Sequence, residues 1–484
     1  MVPTNRTSVG IDGLDAVLDG GFRPERAYLL RGGPGTGKTV LGFHFLTAGT
    51  EVGESALFVN FEEPTDRIRE NAASLGFDLS DVAFLDLSPG ADVFTEDRTY
   101  GLFAADEVEN DGVTEQVMDA IDRVDPDRVF VDPLTQLRNL VRDDYQFRRE
   151  AASFMRYLTD SGTTTLFTAQ PDRAGVVDDL EFLCDGSLEL RQERKGRTVS
   201  VNKFRGSDFR SGSHTVRITD EGMAVFPKLV PTAHSRTFTE ETLSSGIDAL
   251  DDMLHGGVER GSVTVVSGPS GAGKTTTGSQ FLREGAARGE RSVIYLFEED
   301  VATFVHRSEA IGLPVSEMRE DGTLSLVEIE PLDVSADEFA ARVREEVEHR
   351  ETRAVMIDGI SGYRMSIRGE SDDLVRELHA LCRYLRNMGV TTLLLDDVGA
   401  VTGDFEPTSD RISYLADTIL FIRYLEMTGE LRKATGVLKK RGSDHERTLR
   451  EFEITADGIA LGEPLRNLRG VLTGTPTFLD DGLE

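Results

Sequence analysis

The chain has 484 residues, more than one compact core usually holds, and 39% of them are apolar, so its composition predicts a folded protein of two or three domains. Its 86 acidic residues outnumber its 53 lysines and arginines, and the net charge of −33 argues against a domain-wide basic surface for nucleic acid. The two cysteines, Cys184 and Cys382, are too few for a disulfide framework or a cysteine-based zinc site, and no apolar run approaches the roughly 20 residues that cross a membrane.

A segment near the start of the chain recurs in the second half. The stretch that begins at Gly10 returns 236 residues later, beginning at Gly246. The two copies stay in register through several motifs, drift apart in the middle and realign near the end of each copy. A repeat of this length predicts two tandem copies of one domain. We place the first domain at residues 1–233 and the second at 234–484, with the join near Pro227–Ser235, where two prolines bracket a stretch without periodicity.

Short β-rich runs alternate with helical patterns in both copies, which predicts an α/β fold with a mainly parallel sheet and helices on both faces. In the first copy the predicted strands are Ala27–Arg31, Ala56–Phe61, Val82–Leu87, Arg128–Asp132 and Thr163–Thr168. In the second copy they are Ser262–Ser267, Ser292–Phe297, Leu324–Ile329, Ala354–Asp358 and Thr391–Asp396. Two later runs in each copy have short links and predict an added antiparallel β-hairpin. These runs are Ser187–Arg191 with Val199–Phe204, and Thr418–Tyr424 with Thr435–Lys440.

A glycine-rich loop follows the first predicted strand of each copy. Both loops fit the pattern G-x-x-x-x-G-K-[ST] and precede a helical segment, Val40–Leu46 or Thr276–Leu282. In this context the backbone N–H groups bind phosphate oxygens, the lysine reaches the β- and γ-phosphates, and the last hydroxyl ligates Mg²⁺. Two matches in register make a chance match negligible, so we predict two nucleotide sites. Their residues are Gly32, Gly33, Pro34, Gly35, Thr36, Gly37, Lys38 and Thr39, and Gly268, Pro269, Ser270, Gly271, Ala272, Gly273, Lys274 and Thr275.

Paired glutamates follow the second predicted strand of each copy, Glu62 with Glu63 and Glu298 with Glu299. The carboxyl ends of the strands form the ligand-binding edge of an open α/β sheet. One glutamate of each pair would orient or deprotonate the water that attacks the γ-phosphate. The pairs would also favour the start of the next helix, and the two interpretations are compatible.

Further polar side chains end the fourth and fifth predicted strands of each copy. Asp132 and Asp358 are predicted partners of Mg²⁺, directly or through its water shell. A carboxylate that only starts a turn is the alternative, but its recurrence in both copies favours the metal role. Gln170 and Asp397 end the following strand, where they would either sense the γ-phosphate or simply terminate the strand.

A basic motif, Lys-x-Arg-Gly, recurs on the predicted hairpin near the end of each domain. It contains Lys203 and Arg205 in the first copy and Lys439 and Arg441 in the second. In a monomer this motif would be a solvated basic turn. In a ring, the hairpin would reach the nucleotide of a neighbouring subunit and neutralise charge that develops on the γ-phosphate. The chain has only eight lysines, and one begins this motif in each copy, which favours the ring interpretation.

These motifs resemble the two-domain KaiC ATPases of the RecA superfamily over nearly the full chain. The resemblance rests on the domain order, the Phe-Glu-Glu motifs, the Lys-x-Arg-Gly motifs and the tail that begins at Leu465. It implies tandem RecA-like P-loop domains and a hexamer of two stacked rings with ATP at the subunit interfaces. It also implies slow ATP hydrolysis, with the four glutamates as catalytic pairs and the four basic residues of the hairpins contacting the neighbour's nucleotide.

The same resemblance implies serine/threonine autophosphorylation in the second domain. The phosphorylated Ser-Thr pair of the family aligns with Ser413 and Tyr414, so one acceptor hydroxyl is retained and an ordered two-site cycle is not expected. Little chain follows the Thr-Gly-Thr-Pro segment, so we expect no long regulatory tail for a clock partner. The implied output is a signal passed to protein partners that the sequence does not identify.

Two other functions fit the nucleotide motifs. A RecA- or RadA-type motor would act on DNA, and salt-dependent binding of single-stranded DNA would distinguish it. A nucleotide-gated scaffold would bind ATP with negligible turnover. The acidic charge makes nucleic acid an unexpected partner, and the N-terminus lacks a secretion signal, so we expect a cytoplasmic protein without a membrane partner. The acidic, lysine-poor composition also suits a salt-rich halophilic cytosol, with arginine-rich codon usage as the alternative.

Overall fold

The structure is a computed structural model that describes residues 6–88, 109–140, 143–170, 176–193, 196–231, 241–367, 371–399, 408, 412–427, 429–456, 458–466, 468–470, 472 and 477–478. The chain divides into two compact units, Met1–Lys228 and Leu229–Glu484. Part of the predicted join, residues 232–235, and the whole Thr-Gly-Thr-Pro segment, residues 473–476, lie outside the described residues.

The first unit is an α/β unit. Its helices are α1 (Asp12–Val17), α2 (Lys38–Thr50), α3 (Thr65–Ser74), α4 (Glu109–Val124), α5 (Asp144–Asp160) and α6 (Val176–Leu183), with a 3₁₀ segment at Leu134–Leu140. Its strands are β1 (Ala27–Gly32), β2 (Ala56–Asn60), β3 (Val82–Asp86), β4 (Arg128–Asp132), β5 (Thr164–Ala169), β6 (Gly186–Glu193), β7 (Gly196–Phe204), β8 (Ser213–Thr219) and β9 (Gly222–Phe226).

The second unit repeats the order of the main-sheet strands and has additional short elements. Its helices are α7 (Asp248–Met253), α8 (Lys274–Ala287), α9 (Val301–Glu309), α10 (Val315–Glu320), α11 (Ala336–Glu348), α12 (Ile360–Ser366) and α13 (Ser371–Asn387), with a 3₁₀ turn at Ile412–Tyr414. Its strands are β10 (Thr242–Leu243), β11 (Val258–Glu259), β12 (Val263–Gly268), β13 (Ser292–Leu296), β14 (Leu324–Glu328), β15 (Ala354–Asp358), β16 (Thr391–Asp397), β17 (Thr418–Met427), β18 (Glu430–Lys440), β19 (Arg450–Thr455), β20 (Gly458–Pro464), β21 (Leu468–Arg469) and β22 (Thr477–Phe478).

The main sheet has the same topology in both units. Within the described residues it has nine strands, in the order β3-β2-β4-β5-β1-β6-β7-β8-β9 in the first unit and β14-β13-β15-β16-β12-β17-β18-β19-β20 in the second. The first six strands of each order are parallel, and the last three are antiparallel additions. The predicted tandem α/β fold, with a mainly parallel sheet, is confirmed.

The predicted hairpins are present but belong to longer antiparallel meanders. Strands β6 and β17 each pair in parallel with the first strand of their unit and antiparallel with the next strand. The additional strands β8, β9, β19 and β20 were not predicted. They are five to seven residues long, so their alternating pattern does not stand out from the polar, glycine-containing sequence around them.

Helices cover both faces of the parallel part of the sheet. On one face of the first unit, the ring of Phe58 packs against those of Phe130 and of Phe43 from α2. On the other face, Val59 and Val131 belong to a core that includes residues of α5. Adjacent strand residues point to opposite faces, so strands buried on both sides read as continuous apolar runs. This arrangement leaves the carboxyl ends of the strands as one polar edge, where the phosphate loops, the paired glutamates and the two predicted metal-binding aspartates lie. The basic motifs lie at the opposite edge, where β6 and β17 begin.

Candidate nucleotide sites

Both glycine-rich loops connect the first strand of a sheet to the helix that follows it. Gly37 lies immediately before α2 with φ of +104°, and Gly273 lies before α8 with φ of +116°. A β-carbon on Gly37 would lie 2.6 Å from Ile218 Cδ1, so both backbone conformation and space favour glycine. Each loop therefore leads into a helix N-terminus, where free N–H groups and the helix dipole attract an anion.

The first-unit lysine turns back onto its own loop. Lys38 is 8% exposed, and its Nζ donates to the carbonyl oxygens of Gly32 at 2.8 Å and Gly33 at 2.9 Å. Burial lowers the pKa of the Lys38 ammonium, whereas the charges of Asp132 and Glu62 act in the opposite direction. The ammonium is thus held at the loop, within the electrostatic influence of the predicted metal-binding Asp132 and the predicted catalytic Glu62.

A hydroxyl and a carboxylate meet at the predicted magnesium position of the first unit. Thr39 Oγ1 donates to Asp132 Oδ2 at 2.6 Å, and Thr168 Oγ1 donates to Asp132 Oδ1 at 2.5 Å. Burial raises the pKa of the Asp132 carboxyl, and the hydrogen bonds from the two threonines limit the rise. Hard oxygen atoms of this kind suit Mg²⁺, which usually takes one or two protein ligands and completes its shell with water and phosphate.

The second unit has the same threonine–aspartate pair, but fewer and longer hydrogen bonds hold its aspartate. Thr275 Oγ1 donates to Asp358 Oδ1 at 3.3 Å. By strand register, the position of Thr168 is taken by Leu395, which has no hydroxyl. Burial raises the pKa of Asp358 to about 6. Among the described residues, no group of three or more histidines, cysteines or acids is arranged to hold a metal.

The first-unit glutamates are held by amide side chains. Gln136 Nε2 donates to Glu62 Oε1 at 2.9 Å, and Asn71 Nδ2 donates to Glu63 Oε2 at 3.2 Å. Both glutamates line a cleft of about 240 Å³ together with Thr39, Val40, Phe43, Phe58, Asn60, Ile68, Asn71, Leu75 and Asp132. The cleft brings the predicted water-activating and metal-binding groups together beside the start of α2.

The second-unit glutamates have different partners. Glu298 Oε1 accepts a hydrogen bond from the backbone N–H of Gly362 at 3.2 Å, and Glu299 pairs with Arg307 at 2.5 Å. Burial raises the pKa of both glutamates, and the negative charges of Asp397 and Asp358 raise that of Glu298 further. The predicted catalytic pair of the second unit therefore lies in a more negative environment of carboxylates.

The basic motifs hold the ends of α6 and of the Ile412–Tyr414 turn. Lys203 Nζ donates to the carbonyl oxygens of Glu181 at 2.7 Å and Phe182 at 3.1 Å. Lys439 Nζ donates in the same way to Ser413 at 2.9 Å and Ala416 at 2.7 Å. Burial, and then the neighbouring arginine, lowers the pKa of both lysines.

The two arginines of these motifs are exposed. Arg205 Nη2 donates to the Phe182 carbonyl oxygen at 3.3 Å, and Arg441 lies 3.6 Å from Asp417. Each lysine therefore braces the turn inside its own unit, while the arginine beside it has a guanidinium at the surface.

Comparison with known proteins gives the chain its family. The model of the KaiC ATPase family matches residues 7–230 and again residues 243–466. The chain belongs to the KaiC family. Each match covers one α/β unit with its phosphate loop, paired glutamates and basic motif, so the duplication seen in the sequence is a duplication of the KaiC domain.

Curated relatives of this KaiC-family chain match it over nearly their full length. A circadian clock protein KaiC3 from a Synechocystis species is 28% identical over 98% of this chain and 95% of the relative. Circadian clock oscillator proteins KaiC from Acaryochloris marina and a Picosynechococcus species are 29% and 30% identical, each over 96% of this chain and 90% or 91% of the relative. Among the helices that the structure describes, none has the length and apolar character needed to cross a bilayer.

The predicted phosphate acceptor lies beside the second basic motif. Ser413 is partly exposed within the Ile412–Tyr414 turn, and its carbonyl oxygen accepts the Lys439 hydrogen bond. Tyr414, which replaces the threonine of the family pattern, is 46% exposed and places its ring edge-on to His379 at 5.4 Å.

Several site residues were not predicted from the sequence. Gln136, Asn60 and Asn71 contact or line the glutamate pair of the first unit, and Thr168 contacts Asp132. Asn60 ends a buried strand and is 1% exposed. A polar residue at the end of an apolar strand could have been recognised in the sequence. Gln136, Asn71 and Thr168 are brought to the site only by the folding of separate elements.

Proposed function

We propose that this KaiC-family chain binds Mg²⁺·ATP at both phosphate loops and hydrolyses it slowly. The observation that carries the proposal is the convergence, in each unit, of a loop lysine, a threonine–aspartate pair and a glutamate pair at one edge of the sheet. Positioned charges of this kind are the main means by which proteins catalyse phosphoryl transfer.

In the first domain, Lys38 exchanges its carbonyl partners for phosphate oxygens of ATP. Thr39 and Asp132 are the residues that would hold Mg²⁺, which when bound neutralises charge on the phosphates. Glu62 or Glu63 accepts the proton of the attacking water, and the hydrogen bonds from Gln136 and Asn71 keep these carboxylates oriented. The proposed role of the glutamate pair is therefore orientation of water more than strong basicity.

The proposed assembly is a homohexamer in which nucleotide lies between subunits. Its support within the chain is the geometry of the basic motifs, since Lys203 and Lys439 brace the turns while Arg205 and Arg441 are exposed at the surface. An arginine supplied by a neighbour stabilises charge on the transferred phosphoryl group. Light scattering in concentrated salt would give a hexamer mass with ATP, and the double variant Arg205→Ala/Arg441→Ala would lose turnover more than nucleotide binding.

The proposed second activity is autophosphorylation of Ser413, followed by a signal to protein partners. The partly exposed Ser413 is held at the end of a turn braced by Lys439, next to the motif proposed to reach a neighbour's ATP. Phosphopeptide mapping after incubation with ATP would find phosphate on Ser413, with Ser413→Ala as the control. A map without phosphate on Ser413 would remove the kinase activity and leave the ATPase proposal standing.

Phosphate release decides between the ATPase and a non-hydrolysing scaffold. The wild type is compared with Glu62→Gln/Glu63→Gln, with Glu298→Gln/Glu299→Gln and with all four substitutions together. We expect each double variant to lose the turnover of its own domain while still binding ATP, because the loops are unchanged. Equal rates near zero for the wild type and the quadruple variant would contradict the proposed hydrolysis.

A further inference from the structure

The two phosphate-loop lysines have different partners in the two domains. Lys38 Nζ binds the neutral carbonyl oxygens of Gly32 and Gly33. Lys274 Nζ instead donates to Asp397 Oδ1 at 2.5 Å and to the carbonyl oxygen of Pro269 at 3.1 Å. The side chain of Lys274 is 7% exposed and that of Asp397 is 23% exposed, so this ion pair is largely shielded from water.

Strand register shows that one position differs between the copies. Asp397 lies opposite Gly268, the first residue of the second loop. In the first domain β1 pairs Arg31 with Ala169, so the next position, beside Gly32, belongs to Gln170. The same place at the sheet edge therefore has a carboxylate in the second domain and an uncharged amide in the first.

A phosphate that binds Lys274 has to compete with this carboxylate. In the first domain the phosphate displaces only neutral carbonyl oxygens from Lys38. In the second it either breaks a charge-assisted hydrogen bond or leaves Asp397 charged beside the phosphate, and both outcomes are unfavourable in a partly buried site.

We propose that Asp397 lowers the nucleotide affinity of the second domain by competing with phosphate for Lys274. The second loop then needs a higher nucleotide concentration to fill than it would with an uncharged side chain at this position. This inference rests on the proposed function, because it requires that both loops bind nucleotide.

The test is calorimetric titration of the full chain with adenylyl imidodiphosphate and Mg²⁺ in concentrated salt. Lys38→Ala and Lys274→Ala assign the two classes of site, since each removes one class. We expect the charge of Asp397 to weaken binding to the second-domain class roughly tenfold, as for the exchange of one charge-assisted hydrogen bond. Asp397→Asn, which removes the charge at constant size, tightens that class roughly tenfold and leaves the first class unchanged.

The reciprocal variant is Gln170→Asp, which weakens the first class and also keeps the inference testable if Asp397→Asn does not fold. Both classes bound by the wild type, with a second dissociation constant that Asp397→Asn changes less than twofold, would overturn this inference and leave the proposed function intact. A wild-type chain that binds the analogue at neither loop would overturn both. A Gln170→Asp variant with unchanged first-class affinity would also count against it.

Discussion

The raised pKa of Asp358 predicts that its buried carboxylate, in the predicted metal site, lowers the stability of the second domain at neutral pH. Burial raises this pKa from its ordinary value of 3.8 to about 6. Between these two pH values the folded state holds the proton and the unfolded state has released it, so the free energy of unfolding falls as pH rises. Above pH 6 the penalty is fully present, and below pH 3.8 it is absent. Because the pKa is raised by about two, the charged carboxylate lowers the free energy of unfolding by at most about 3 kcal/mol.

Asp358→Asn removes that charge and should therefore stabilise the second domain at pH 7.5. We expect a gain of about 1–3 kcal/mol in the free energy of unfolding, measured by urea denaturation in concentrated salt with EDTA and without nucleotide. The gain should shrink as the pH is lowered from 7.5 towards 5, because the wild-type carboxyl then protonates in the folded state. The same variant should lose Mg²⁺-dependent turnover in the second domain.

Asp132→Asn is the matched control in the first domain. Asp132 accepts close hydrogen bonds from Thr39 and Thr168, which stabilise its charged form, so its replacement should yield a smaller gain. A lower unfolding midpoint for Asp358→Asn at pH 7.5, or a gain that does not depend on pH, would refute the reasoning.

Three further outcomes test the first domain. Gly37→Ala should abolish nucleotide binding at the first loop, because φ is +104° and the new β-carbon would meet Ile218. Equilibrium binding checks this in a chain that also has Lys274→Ala, which removes the second site. Gln136→Ala should lower first-domain turnover about tenfold with little change in ATP affinity, measured by phosphate release and binding together. Arg128→Met should cost about 2–4 kcal/mol in urea denaturation, because it leaves Glu54 and two carbonyl oxygens without their buried donor; a cost below 1 kcal/mol would contradict this.

Local sequence patterns were sufficient to locate the main elements. The strand that ends at Asp132 and the one that ends at Asp358 have the predicted bounds, and both loops lead into α2 and α8 as their motif requires. These features depend on short-range chemistry, namely glycines before a helix and apolar runs long enough for a buried strand. The short strands β8 and β9 lack such a signal, because five to seven alternating residues between turns do not identify a strand.

The sequence by itself determined that the chain is a duplicated α/β protein with two phosphate loops and with acidic residues at the ends of its strands. Only the tertiary structure decided which side chains meet at that edge: Gln136 with Glu62, Thr168 with Asp132, and Asp397 with Lys274. The physical reason is that a side-chain partner depends on which strand lies next to which. The order of strands in the sheet brings β16 beside β12 although more than a hundred residues separate them along the chain.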